Sequence, residues 1–135
     1  MGRMMKMFGP HRNGSIAELV CATEALKRDL EVFLPISGSS RIDLVLVKKG
    51  TYRVQVKKTW QNSRGNPVCQ AVSKSTARHK HKERKFYTQN DIDFLIAVRI
   101  EDSSCWILPV EEIKDNTTLG LTSREQYRNA WHMLE

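Results

Sequence analysis

The sequence predicts an α/β fold, a β-sheet flanked by helices, and three observations predict it. Arg41 to Lys57, RIDLVLVKKGTYRVQVK, sets two apolar runs on either side of Lys48-Lys49-Gly50, the pattern of a β-hairpin. Ser15 to Leu30 repeats Ile16, Leu19, Val20, Thr23, Leu26 and Leu30 at helical spacing. Phe94 to Ile100 is strongly apolar and faces Trp106 to Val110 across the polar Glu101-Asp102-Ser103-Ser104, a second hairpin.

In chain order, Met1 to Asn13 reads as a loosely packed arm, with turn signals at Gly9-Pro10 and Asn13-Gly14. The first helix follows. Ser15 and Glu18 form a Ser-x-x-Glu capping box, so Glu18 either reaches back to the Ser15 amide or points a first-turn carboxylate at the hairpin. Glu31 to Ile36 is a short strand that Pro35 ends or marks as an edge. The small residues Ser37-Gly38-Ser39-Ser40 then deliver the chain to Arg41 and Asp43, allowing close approach of backbone or phosphate. Behind the first hairpin, Gln61 to Pro67 is a loop and Val68 to Val72 another short strand. Asp91 and Asp93 read as a strand-entry turn. Glu111-Glu112-Ile113 opens a short helix or turn, and Ser123 to Leu134 is the last helix, capped by Ser123 with Gln126 and striped by Tyr127, Ala130, Trp131 and Leu134.

Composition narrows the partners. The chain has 135 residues, the length of one domain with one core. Lys and Arg number 22 against 15 Asp and Glu, a formal charge of +7, which favours a polyanion and above all nucleic acid. Lys74 to Lys85, KSTARHKHKERK, concentrates that charge, with six basic residues against one acid and almost no apolar periodicity. It reads as a solvated loop that orders on a phosphate backbone. His79 and His81 read as members of that loop rather than a metal pair. Cys21, Cys69 and Cys105 are widely spaced and odd in number, which argues against a disulfide framework or a zinc ribbon and for a reduced, cytoplasmic setting. No run approaches the roughly 20 apolar residues of a membrane span.

The hairpin carries the chemistry. Period-two alternation puts Gln55 and Lys57 on one face of its second strand, and Asp43 stands at the start of its first. An acid, an amide oxygen and a lysine converging across one ladder suit a metal-dependent phosphodiester cutter.

With GSIAE, SSRID and RVQVK in the order helix, three strands, basic loop, two strands, helix, the chain resembles the PD-(D/E)XK nuclease superfamily. The likeness is to small intron-encoded homing endonucleases whose motif reads Gln-x-Lys, and it runs from about Gly14 to about Val110. It implies a restriction-endonuclease-like core, a central mixed β-sheet flanked by helices. It also implies roles. Asp43 would be the central metal-binding carboxylate, Gln55 would stand for the usual acid and offer its oxygen, and Lys57 would lie beside the attacked phosphate. Glu18 would complete the metal site. The family's Pro before the Asp is replaced by Ile42. Mg²⁺, with Mn²⁺ substituting, matches this oxygen-donor set. Lys57 near a phosphate keeps its proton unless strongly desolvated, so electrostatic stabilisation of the transition state is its expected role.

The expected substrate is double-stranded DNA, cut at specific sites by a homo-oligomer, a dimer or tetramer, because two cuts need two active sites. Expected DNA contacts are Lys58, Gln61, Asn62, Arg64, Lys74, Arg78, Lys80, Lys82, Arg84 and Lys85, with Asn66 and Gln70 as further base readers. Two alternatives remain open at this point: a Holliday-junction resolvase, and a DNA-binding module on the same fold that does not cut. An RNA-binding regulator fits the charge but not the acid-Gln-Lys set, and the chain is only 7% aromatic.

Overall fold

The computed structural model describes residues 9–38, 40–73 and 85–135. Helix α1, Pro10–Leu26, leads into β1, Glu31–Phe33. The central hairpin is β2, Leu44–Val47, and β3, Thr51–Lys58. Then come β4, Trp60–Gln61, β5, Pro67–Gln70, β6, Val72–Ser73, and β7, Lys85–Phe86. The second long hairpin is β8, Phe94–Arg99, and β9, Ser104–Pro109. Helix α2, Val110–Ile113, strand β10, Thr118–Gly120, and two 3₁₀ turns, Thr122–Tyr127 and Trp131–Leu134, end the chain.

The main sheet runs β1-β2-β3-β8-β9. Its pairs are antiparallel except β3 with β8, which is parallel, so the sheet is mixed as the family likeness implied. The parallel pair sets Gln55 against Leu95 and Lys57 against Ala97. A three-stranded sheet, β10-β5-β4, and the β6-β7 pair complete the strands.

Alternation along β3 divides the interior. Val54 and Val56 join Leu44, Leu46, Ile96 and Val98 in a core against α1, closed by Ala130, Trp131 and Leu134. The opposite face carries Leu95, Ala97, Trp106 and Leu108 against Cys69, Tyr87, Leu119 and Leu121. Gln55 and Lys57 emerge on that second side, where polar atoms stand at the border of a packed core.

Several expectations change. The helix begins at Pro10, not Ser15, so residues 10–13 of the expected arm are helical. Pro suits the first turn because its missing N–H would have no partner there. Ser15 is therefore interior, and its hydroxyl donates to the His11 carbonyl at 3.1 Å. The capping box with Glu18 does not form. The helix stops at Leu26 rather than Leu30, because Asp29 turns left-handed (φ 63°) and the Leu30 amide closes back on the Ala25 carbonyl. The last helix is two 3₁₀ turns without a side-chain cap. Arg128 is extended and bridges Trp106 of β9, and Asn129 is left-handed (φ 53°) with its side-chain oxygen accepting the Cys105 amide at 2.9 Å. These long-range bonds to β9 break what the local pattern would have made continuous. Lys85, expected in the basic loop, begins β7 opposite Ser73.

Candidate active site

Asp43 sits one residue before β2, where its amide donates to the Val54 carbonyl at 2.8 Å. That bond turns the carboxylate across β3. Its Oδ2 accepts the Val56 amide at 2.9 Å and the Gln55 side-chain amide at 2.7 Å. Gln55 also donates from Nε2 to the Val56 carbonyl at 3.3 Å. With the nitrogen committed on both sides, Oε1 is the atom of Gln55 left to face a ligand.

Glu18 comes from α1 on the other side of the hairpin. It shares with Asp43 a cavity of about 320 Å³, lined also by Leu34, Pro35, Ser37, Gly38, Ser40 and Ile42. The serine- and glycine-rich loop thus forms one wall, braced by the Ile42 amide donating to Ser40 Oγ at 3.0 Å. Burial first, then repulsion from Asp43, raises the Glu18 carboxyl above its ordinary pKa. Burial also raises Asp43, opposed by its bond from the Val56 amide and by the nearby charge of Lys57.

Lys57 lies on the Tyr87 ring, its Nζ 5.7 Å from the centroid. Arg41 covers the same ring at 4.5 Å and pairs with Asp91 at 2.9 Å. Burial pushes the Tyr87 hydroxyl up to about 12, so it is a neutral platform for two cations. Neither Tyr87 nor Arg41 was a predicted site residue. The signal for Arg41 was its place two residues before Asp43; for Tyr87 the sequence held none beyond an aromatic pair after the basic segment.

The structure therefore joins Gln55 to Asp43, sets Glu18 in one cavity with Asp43, and places Lys57 near enough for its charge to act on Asp43. Among the described residues no group of three His, Cys, Asp or Glu side chains is placed to hold a metal ion. The donor set here is two carboxylates and an amide oxygen. These are hard oxygen donors, and the two acids repel each other at close quarters, so a divalent cation fits both their chemistry and their charge.

The expected DNA contacts divide. Lys58 ends β3, Gln61 is exposed on β4, and Arg64 is exposed in the turn between β4 and β5. Asn62 serves that turn instead, because its Oδ1 accepts the amides of Arg64 at 2.9 Å and Asn66 at 3.0 Å. That leaves the N–H donors of its side-chain amide for a base edge. Lys74, Arg78, His79, Lys80, His81, Lys82 and Arg84 lie outside the described residues, as does the side chain of Lys85. Asp91 and Asp93 are structural, as expected. Asp91 caps the turn at Thr88, and Asp93 accepts the Arg53 amide at 2.8 Å and its guanidinium at 3.0 Å.

The chain has no significant match among curated protein sequences. Among solved structures it is similar to a bacterial homing endonuclease, I-Ssp6803I, with a TM-score of 0.84, 28% sequence identity and 93% of each chain covered. Residues 8–134 match the sequence model of the PD-(D/E)XK endonucleases. The chain belongs to the PD-(D/E)XK endonuclease family.

Proposed function

We propose that this endonuclease is a Mg²⁺-dependent, site-specific DNA enzyme that hydrolyses phosphodiester bonds in duplex DNA, and that the whole chain is one nuclease domain. The observation that carries the reading is the joining of Asp43 to Gln55 at 2.7 Å, with Glu18 in the same cavity and Lys57 alongside. The homing-endonuclease likeness favours a specific duplex site over a branched junction.

Glu18, Asp43 and Gln55 Oε1 would hold the cation. When bound, Mg²⁺ (or Mn²⁺) supplies Lewis-acid polarisation of the phosphate and acidifies water. The protein's own part is placement. The Asp43 carboxylate is fixed by the Val56 amide and by Gln55, so it meets the cation without reorganising. The Lys57 ammonium, resting on Tyr87, faces the charge that develops on the phosphate oxygens. Lys58, Arg64 and the basic segment from Lys74 to Lys85 attract the backbone.

Two cuts in a duplex need two such sites, which favours a homo-oligomer. A cytoplasmic setting is supported by three free, buried thiols, Cys21, Cys69 and Cys105. Among the described residues no helix is long and apolar enough to cross a membrane.

The test is cleavage of pooled duplex DNA and a four-way junction in Mg²⁺ or EDTA, by wild type and Asp43→Ala. Mg²⁺-dependent cutting of duplex that Asp43→Ala abolishes is the expected result. Preferential junction cutting would replace the reading with a resolvase, and tight binding without cutting in Mg²⁺ or Mn²⁺ would replace it with a binding module.

A further inference from the structure

The chain has three tryptophans. Trp106 and Trp131 are 1% and 2% exposed, deep in the two cores, whereas Trp60 is 42% exposed. Trp60 opens β4, the edge strand of the three-stranded sheet, directly opposite Val68. Cross-strand partners share a face, so the indole leans on Val68 and leaves its remaining surface to solvent. With an apolar body and a polar N–H, tryptophan is a side chain enriched where proteins meet a partner.

Position and charge identify the partner. Trp60 follows Lys57 by three residues, so it lies within about 10 Å of that lysine along the chain, some three base-pair steps of duplex. Between Asp43 and Glu83 the sequence holds no Asp or Glu, but it holds Lys48, Lys49, Arg53, Lys57, Lys58 and Arg64 before the basic segment begins. Gln61, the next residue of β4, and Arg64, in the turn between β4 and β5, are both exposed on the same ribbon. A second copy of so basic a surface would be repelled; a nucleic acid backbone would be attracted.

We propose that Trp60 is a DNA-contacting side chain that packs its indole on deoxyribose and base edges within about three base pairs of the cut phosphate, anchoring the β4–β5 ribbon against the duplex. This rests on the proposed DNA endonuclease function and adds an apolar contact to a charged footprint.

Trp60 is the one exposed indole, so acrylamide quenching of tryptophan emission reports on it. The full chain is titrated with a duplex of about 30 bp and arbitrary sequence, in EDTA and about 50 mM salt, where non-specific binding is strong. Binding is followed separately by anisotropy of labelled duplex. The expected result is a loss of acrylamide quenching that tracks DNA occupancy. Trp60→Ala should weaken binding by about fivefold to a hundredfold, with the salt slope unchanged because no ionic contact is lost. Trp60→Phe should keep affinity within a few-fold and remove the DNA-dependent signal, and it decides the matter if the alanine variant fails to fold. Duplex binding with undiminished quenching, or full affinity in Trp60→Ala, overturns the inference and leaves the endonuclease reading intact. No binding by wild type overturns both. Protection that appears with protein concentration alone assigns Trp60 to a contact between copies and overturns the inference.

Discussion

Gln55→Glu restores an acid where the motif usually has one, and the structure sets its cost. In the wild type the Gln55 amide donates to Asp43 Oδ2 at 2.7 Å. The substitution removes that donor and sets two carboxylates in contact, at a position where burial already disfavours the Asp43 charge. Two unit charges about 4 Å apart repel by about 4 kcal/mol at an effective dielectric of 20. Proton uptake caps this. Raising a glutamate from its ordinary value near 4.3 until it holds a proton at pH 7 costs about 3.7 kcal/mol, and the pair would then share that proton. The expected loss in EDTA at pH 7 is about 2–4 kcal/mol, or roughly 7–14 °C in Tm for a chain this long. The sign with pH follows. A carboxyl raised on folding is destabilising above its folded pKa and neutral below its unfolded pKa, so the penalty should fade as the pH is lowered towards 4. Added Mg²⁺ or Mn²⁺ should reverse it, because the new charge becomes a ligand, and the metal-induced rise in Tm should exceed that of wild type. Thermal melts of both proteins in EDTA and in metal, at pH 7 and pH 4.5, measure all three. Equal melting in EDTA at pH 7, or a metal shift no larger than wild type, would refute the placement of Gln55 between Asp43 and a cation.

Glu18→Gln should separate catalysis from folding. If Glu18 holds the cation as proposed, cleavage should fall by about a hundredfold or more. Stability in EDTA should stay within about 1 kcal/mol and lie slightly above wild type, a difference that grows as pH rises through the raised Glu18 pKa; parallel cleavage and urea titrations check it. Asp93→Asn tests the brace behind β3. Arg53 holds the Asp93 carboxyl below its usual range, so its stabilisation is present above about pH 4 and is lost as pH falls through the depressed folded value. Both side chains are about one-third exposed (34% and 36%), so the expected loss at neutral pH is only about 1 kcal/mol. Urea midpoints of wild type and variant should draw together as the pH falls through that depressed value, and a gap that widens in acid would contradict the ion pair.

What was legible in the sequence was what repeats locally. Alternation along Thr51–Lys58 puts Val54 and Val56 on one side and Gln55 and Lys57 on the other in any antiparallel hairpin, and the Lys48-Lys49-Gly50 turn closes it. The second hairpin, Phe94–Arg99 with Ser104–Pro109, was legible for the same reason. Where several side chains can satisfy a backbone group, the local pattern misled. Ser15 with Glu18 has the form of a cap, but Pro10 starts the helix earlier and leaves Glu18 free to enter the cavity with Asp43. The C-terminal stripe has helical spacing, yet bonds from Asn129 to Cys105 divide it. β10 was missed because Thr118–Gly120 is too short to show a period and pairs with β5 nearly fifty residues away. The sequence by itself determined the element types of the two long hairpins and the chemistry available at Asp43, Gln55 and Lys57. Only the tertiary structure set Glu18, the acid the family likeness had named, in one cavity with Asp43, put Tyr87 under Lys57, and ran β3 parallel to β8. Faces follow from backbone period, residue by residue, whereas convergence follows from packing between segments far apart in the chain, which no local spacing encodes.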